Sequence, residues 1–324
     1  MPDTPNISSI SQNTMAKYDR ELATRLEEQL RNYRVNGQPL PGIANPAALA
    51  TLVEQMLESV HRVQFVKRIR DNKDKISERR TDPKDDMFDP IRATVWHMDR
   101  GNFDEAFWIV FLFVVCGRNL NTGYGLLRMV YGAFKDQFVW TWEQYNSEEN
   151  AFTLWLHDRL SEIEKVKSGF RFGNHRQYES IRNLDIVLKS YADWVGPEHS
   201  HVALIESAKA EAGDDPKELF AYLYKSMSAV RRFGRLGKFD YLTMVGKVGL
   251  VNIEPPSAYM TEATGPATGA QLLFGVPGHG RDARKKLDEL AIDLDGVLKV
   301  GMQVIEDSLC NWQKSPEKFV AFRG

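Results

Sequence analysis

Hydrophobic positions recur at helical spacing along most of the chain. Leu22, Leu26 and Leu30 stand four residues apart and form one stripe of an amphipathic helix over Met15–Arg34. The connector Asn36-Gly37-Gln38-Pro39-Leu40-Pro41-Gly42 is rich in turn residues. The helical period resumes over Ala47–Arg70 with Leu49, Val53, Met56, Leu57 and Val60. Asp89-Pro90 opens another helix, because Asp accepts from a free N–H and Pro lacks the donor that would go unpaired there. Gly101 ends that helix. Asp104 to Cys116 reads DEAFWIVFLFVVC, acidic at its start and apolar all round afterwards. No alternating partners or hairpin turns flank it, so the run predicts a buried central helix rather than a strand. Further helices are expected at Gly123–Phe134, Glu148–Lys167, Ile181–Trp194, Val202–Ala212, Pro216–Val230 and Lys238–Val248, then at Ser257–Ala263 and Arg284–Trp312. There is no tandem repeat. The pattern predicts an all-α fold.

Composition narrows the class. With 324 residues, 43% hydrophobic and 27% charged, the chain can fill one large domain or two, and wholesale disorder is excluded. Forty-two Lys and Arg against 44 Asp and Glu give a net charge of −2. That argues against non-specific coating of nucleic acid over the whole surface, but not against a local basic groove. Positive charge in fact collects at Arg62–Lys84, Lys165–Lys189 and Lys225–Lys247. The first of these runs reads either as a solvated helix end and loop or as a phosphate-contacting arm. Two cysteines, Cys116 and Cys310, cannot build a disulfide framework or a four-cysteine metal site, and both read as buried free thiols. The polar start carries no secretory pattern, and the longest apolar stretch, Ala106–Cys116, is too short to cross a bilayer. A soluble cytoplasmic protein without a membrane partner is expected.

Common catalytic signatures are absent: no GxxxxGK[ST], HExxH, GxSxG or strand-borne GxGxxG occurs. His199-Ser200-His201 reads as a helix start, since residues two apart do not share a helix face. Gly275–Gly280 reads as a surface loop before the last long helix. No metal or cofactor is expected. Three blocks are more informative. Phe233 to Leu242 opens a helix, and around it Lys225, Arg231, Arg232, Arg235, Lys238 and Lys247 surround one acid, Asp240. A carboxylate among cations stays ionised, as stabilising a sugar oxocarbenium ion or orienting water requires; equally, it could be an ion-pair partner of Arg235 or Lys238. The turn Thr264–Gly269 follows, and helix, glycine hairpin, helix would aim backbone N–H groups at one DNA phosphate through Gly265 and Gly269. Phe170 to Glu179 interleaves aromatics with Arg, Asn and His, suited to stacking on a base, or else forms a helix entry with Asn174 as cap. Arg118-Asn119, straight after the buried run, is a third polar element.

Together these blocks resemble one family. Phe88-Asp89-Pro90, Asp104 to Trp108, Phe172 to Arg176, Arg231 to Arg235 with Asp240 to Leu242, Thr264 to Ala270, Leu309 to Pro316 and Phe322 to Gly324 look like the third clade of the α-glutamyl/putrescinyl-thymine pyrophosphorylases. The likeness runs from about Phe88 to the end, which implies an N-terminal helical extension over 1–87 and an all-α, DNA glycosylase-like catalytic domain with a helix–hairpin–helix-like element over 88–324. It implies a double-stranded DNA partner carrying a hypermodified pyrimidine, as in phage genomes, and leaves two reactions open. One is excision of a base such as glucosylated hydroxymethylcytosine by base flipping and N-glycosidic hydrolysis, in anti-phage defence. The other is displacement of pyrophosphate from 5-pyrophosphoryloxymethyl-uracil by an amine or amino acid. A non-enzymatic reader of modified DNA is a third possibility. Within the resemblance Asp240 ranks first and Asp282 second as the catalytic carboxylate. Phe172, Asn174, His175, Tyr178, Arg118, Asn119 and Tyr241 would contact the base. Arg176, Arg231, Arg232, Arg235, Lys238, Gly265 and Gly269 would hold phosphates. The chain departs from the ordinary glycosylase hairpin in lacking the L-P-G-x-G order and a hairpin lysine, so a glycosylase here would be monofunctional.

Overall fold

The computed structural model describes residues 17–322 except 174, 175 and 178. Fourteen α-helices carry the fold among these residues, and the one sheet is a two-stranded ribbon of β1 (Arg34–Val35) and β2 (Gln38–Pro39). The all-α expectation holds. The chain divides into two compact units, one of residues 17–64 with 255–322 and one of residues 65–254. That division differs from the boundary at 87/88 expected from the sequence, because the first two helices share a core with the last three.

In the first unit, α1 (Lys17–Asn32) buries Leu22, Leu26 and Leu30, and α2 (Pro46–Asp71) buries Leu49, Leu52, Val53 and Met56 against the C-terminal helices. The second unit is built around α4 (Phe103–Cys116), which follows α3 (Pro90–Asp99). Asp89 caps α3 by accepting from the Arg92 N–H, and Pro90 takes the first position. The α4 helix is buried nearly all round, as its apolar run requires, and packs on α3, α5 (Gly125–Tyr131), α9 (His201–Ala212) and α11 (Arg235–Val248). Around it stand α6 (Trp142–Asn146), α7 (Ala151–Lys165), α8 (Leu184–Val195) and α10 (Pro216–Ser226). The α6 helix was not expected; five residues are too few to show a period.

Three expectations fail in the C-terminal part of the first unit. Ser257–Ala263 is a pair of turns: Tyr259 adopts φ +49°, and the Met260 N–H is tied to Asp288. Thr264–Gly269 is no hairpin. Gly265 and Gly269 lie inside α12 (Gly265–Phe274), whose small residues let it approach another helix closely. Arg284–Trp312 is two helices, α13 (Arg281–Leu298) and α14 (Met302–Trp312). Lys299 and Gly301, both at positive φ, turn the chain between them, and Asp295 Oδ1 accepts from the N–H groups of Val300 and Gly301.

Candidate functional site

The sequence blocks singled out in the second unit converge at the C-terminal end of α4. Gly117, at φ +66°, abuts Gly173: a Cβ on either would stand under 3 Å from the other's Cα. The Gly173 N–H donates to the Cys116 carbonyl, and Asn119 Nδ2 donates to the Phe172 carbonyl at 2.9 Å. From there Arg176 reaches the turn before α11. Its Nη2 donates to the Arg232 carbonyl and stands 3.6 Å from Glu179, while its guanidinium lies over the Phe233 ring. The 172–179 segment, Arg118-Asn119 and Arg231–Arg235 are therefore one neighbourhood, although the contacts that join them span 53 and 56 residues of chain.

Individual side chains divide by exposure. Arg118, Arg231 and Arg232 face solvent, the last at φ +54° with its Nε donating to Glu179. Arg235 is half-buried over the Phe239 ring. Arg176 and Lys238, expected to hold phosphates, are buried; Lys238 Nζ lies over the Tyr224 ring and bonds Ser228. Phe172, Asn119 and Tyr241, expected at a base, are buried too and serve the scaffold. Asn119 Oδ1 accepts from the N–H groups of Asn121 and Thr122. Asn174, His175 and Tyr178 lie outside the described residues. Gly265 and Gly269 belong to the first unit and face α14: a Cβ on Gly265 would come within 2.7 Å of Cys310 Sγ, and one on Gly269 would fall on the Leu309 carbonyl. Their N–H groups are not presented in a hairpin, so the phosphate role expected of them loses its geometry. Asp240 is half-buried on α11 between the buried Phe239 and Tyr241. Asp282 is exposed in the first turn of α13, in the other unit.

Tyr241 leads into a hydrogen-bonded chain that sequence reasoning missed. Its hydroxyl meets that of Tyr191 at 2.8 Å, Tyr191 Oη meets His201 Nε2 at 2.7 Å, and His201 Nδ1 meets Asp104 Oδ1 at 2.8 Å. The same oxygen takes the His201 backbone N–H, so Asp104 also serves the start of α9. A carboxylate only accepts, which places the ring proton on Nδ1 and leaves Nε2 to accept from Tyr191; Tyr191 Oη then accepts from Tyr241. Burial pushes the Asp104 carboxyl up, but the two His201 donors outweigh it and the net shift is downward. Burial lowers His201 against the pull of Asp104, and the ring stacks on Phe107. Ser200 caps α9, so His199 and His201 do mark a helix start. No local signal announces the chain, since Asp104 and His201 are 97 residues apart.

The first basic run is partly neutralised. Lys73 pairs with Asp99, Arg79 with Asp85, and Arg62 with Asp307 and Glu58. No cluster of His, Cys, Asp or Glu able to hold a metal occurs among the described residues, and no helix is long and apolar enough to cross a membrane. Of the thiols, Cys116 is buried, with its pKa pushed up to about 12, and Cys310 is half-buried.

The profile of the alpha-glutamyl/putrescinyl thymine pyrophosphorylase clade 3 family matches residues 47–324, most of the chain. The chain belongs to this family. As a clade 3 protein it stands among enzymes of DNA base hypermodification, with modified DNA as the corresponding partner. The match takes in both compact units, including most of α2, which the resemblance read from about Phe88 leaves in an N-terminal extension. No curated protein and no solved structure matches it.

Proposed function

We propose that this clade 3 protein excises a hypermodified pyrimidine, such as glucosylated hydroxymethylcytosine, from phage duplex DNA by hydrolysing its N-glycosidic bond. Asp240 carries the reading. It is a half-buried carboxylate on α11, the helix that follows the Arg231–Arg232 turn. A carboxylate suits a reaction that develops positive charge on the sugar. The base must leave the stack before its bond to C1′ can be reached. Breaking that bond sends the electron pair to the base and leaves an oxocarbenium ion, which Asp240 stabilises. Water then adds at C1′, Asp240 takes its proton, and an abasic site remains. Exposed Arg118, Arg231 and Arg232 hold phosphates during the step.

The family description favours a second reading, in which the same arginines bind a departing pyrophosphate while an amine attacks the 5-methylene carbon. That reaction develops negative charge on its leaving group and gives the Asp240 carboxylate nothing to stabilise, which places this reading second. Incubation with DNA carrying glucosylated hydroxymethylcytosine, followed by alkaline cleavage, separates the two. Excision yields alkali-labile sites, and Asp240→Asn lowers their formation by about 10²–10³-fold while Asp282→Asn leaves it unchanged. Pyrophosphate release with amine incorporation from 5-pyrophosphoryloxymethyl-uracil DNA would select the second reading. Neither product from either DNA would sink both.

A further inference from the structure

Residues 119–123 form a tight loop whose base is closed by two backbone bonds, Asn119 N–H to the Gly123 carbonyl and Gly123 N–H to the Asn119 carbonyl, each 2.9 Å. The Asn119 side chain fills it from within, accepting from Asn121 and Thr122 and donating to Phe172. Such a loop is held from within, yet its first turn residue, Leu120, is apolar and 53% exposed, next to the exposed Asn121 at the middle of the turn. A lone exposed leucine needs no explanation by itself. This one differs in its support and in its surroundings. Among the described large apolar residues, the two more exposed, Leu154 and Val320, lie on α7 and in the C-terminal tail.

The surroundings are cationic. Arg118 precedes the loop and is exposed. Behind it, Gly125 packs on the Gly169 carbonyl, which brings the Lys165–Arg171 segment alongside with Lys165, Lys167 and Arg171 all exposed. On the other side Phe172 and Arg176 connect the loop to Arg231 and Arg232. Of the neighbouring acids, Glu179 is buried against Arg176 and Arg232, Glu164 pairs with Arg182, Glu162 pairs with Lys135, and Asp89, near Tyr124, pairs with Arg92. An exposed apolar side chain on a braced loop, with cationic segments packed against that loop, is complementary to duplex DNA, whose surface offers phosphates outside and apolar base faces between the steps.

We infer that Leu120 is the wedge that enters the base stack and fills the space left by the extruded pyrimidine. The inference rests on the reading of the protein as an enzyme of modified bases in duplex DNA. Insertion compensates the lost stacking with apolar contact, and it needs a side chain on a loop that does not fold away, which the Asn119 framework supplies. Leu120 touches the duplex and not the reacting bond, so it is a positioning residue.

The test uses the full chain and a synthetic duplex with one glucosylated 5-hydroxymethylcytosine beside 2-aminopurine, whose fluorescence rises on unstacking, together with the single strand alone. Wild-type protein should raise the fluorescence of the duplex. Leu120→Ala should abolish that rise and weaken duplex binding about tenfold or more, leaving single-strand binding within about twofold, because a single strand needs no wedge. Leu120→Phe, which keeps an apolar side chain, should restore the signal. Equal duplex behaviour of Leu120→Ala and wild type, or equal losses on both DNA forms, would overturn the wedge while leaving the enzymatic reading intact. Wild-type protein that binds neither form would overturn both.

Discussion

At the scale of single residues, the second unit stakes its stability on buried polar groups that must find partners. Glu105, one position after Asp104, accepts from the Tyr131 hydroxyl and from the Trp142 N–H at 2.7 Å. Burial pushes its pKa up to about 7 from an ordinary 4.5. The folded protein thus holds a proton that the unfolded chain releases, so the contribution of Glu105 is complete below pH 4.5 and is lost as pH rises through 7. A shift of this size corresponds to roughly 3 kcal/mol. His201 and His97, both lowered by burial, act in the opposite sense, costing stability as pH falls below 6.5. Glu105→Gln keeps an acceptor for Trp142 and offers a donor to Tyr131, and it isolates the first effect. Urea unfolding from pH 4.5 to 7 should show the wild type losing stability relative to the variant as pH rises; parallel curves would refute the assignment. The Asp104–His201–Tyr191–Tyr241 chain gives an ordering of losses. Tyr191→Phe strands both His201 Nε2 and the Tyr241 hydroxyl and should cost about 2–3 kcal/mol, whereas Tyr241→Phe strands only one acceptor and should cost about 1 kcal/mol. The same unfolding measurement ranks them.

At the scale of elements, legibility follows the kind of signal each segment carries. The α4 helix is readable because every residue from Ala106 to Cys116 is apolar, and its burial on nearly every side is what an all-round apolar helix requires. The start of α12 is misread because glycine serves two physical purposes. Gly265-Pro266-Ala267-Thr268-Gly269 can turn a chain, but it can equally bring one helix against another, and nothing local distinguishes them. The loop role and the packing role predict different outcomes for substitution. Gly269→Ala places a methyl group on the Leu309 carbonyl, a backbone atom with little room to move, and should destabilise by about 1–3 kcal/mol despite the better helix propensity of Ala. Gly265→Ala meets only the Cys310 side chain and should cost less. Neither should change DNA affinity of the folded protein. A Gly269→Ala protein with unchanged melting temperature and weakened DNA binding would return these glycines to a phosphate-binding role.

At the scale of the whole molecule, a net charge of −2 conceals two kinds of basic segment. Both look alike in the sequence, because charge runs do not show where their counter-ions fold. Lys73 and Arg79 meet acids from neighbouring turns and helices, so they add little to long-range attraction. Lys165, Lys167 and Arg171 are exposed beside the 119–123 loop. Asp240, Arg231 and Arg232 are recognisable in the sequence as a cluster in one stretch of chain, whereas the setting of Leu120 exists only once residues 118–123, 165–171 and 231–232 are folded together. DNA binding should therefore depend on salt through the second group and not the first. Replacing Lys165, Lys167 and Arg171 together by Gln should flatten the slope of log affinity against log salt by up to about 2.7, at about 0.9 for each phosphate left without its cation. Replacing Lys73 and Arg79 by Gln should leave the slope within about 0.5, since ion-paired cations release few counter-ions on binding. Titrations of duplex DNA across a range of salt concentrations read both variants directly. If the paired run flattens the slope and the exposed one does not, the DNA-facing surface lies along the 73–79 segment and Leu120 has no duplex to enter.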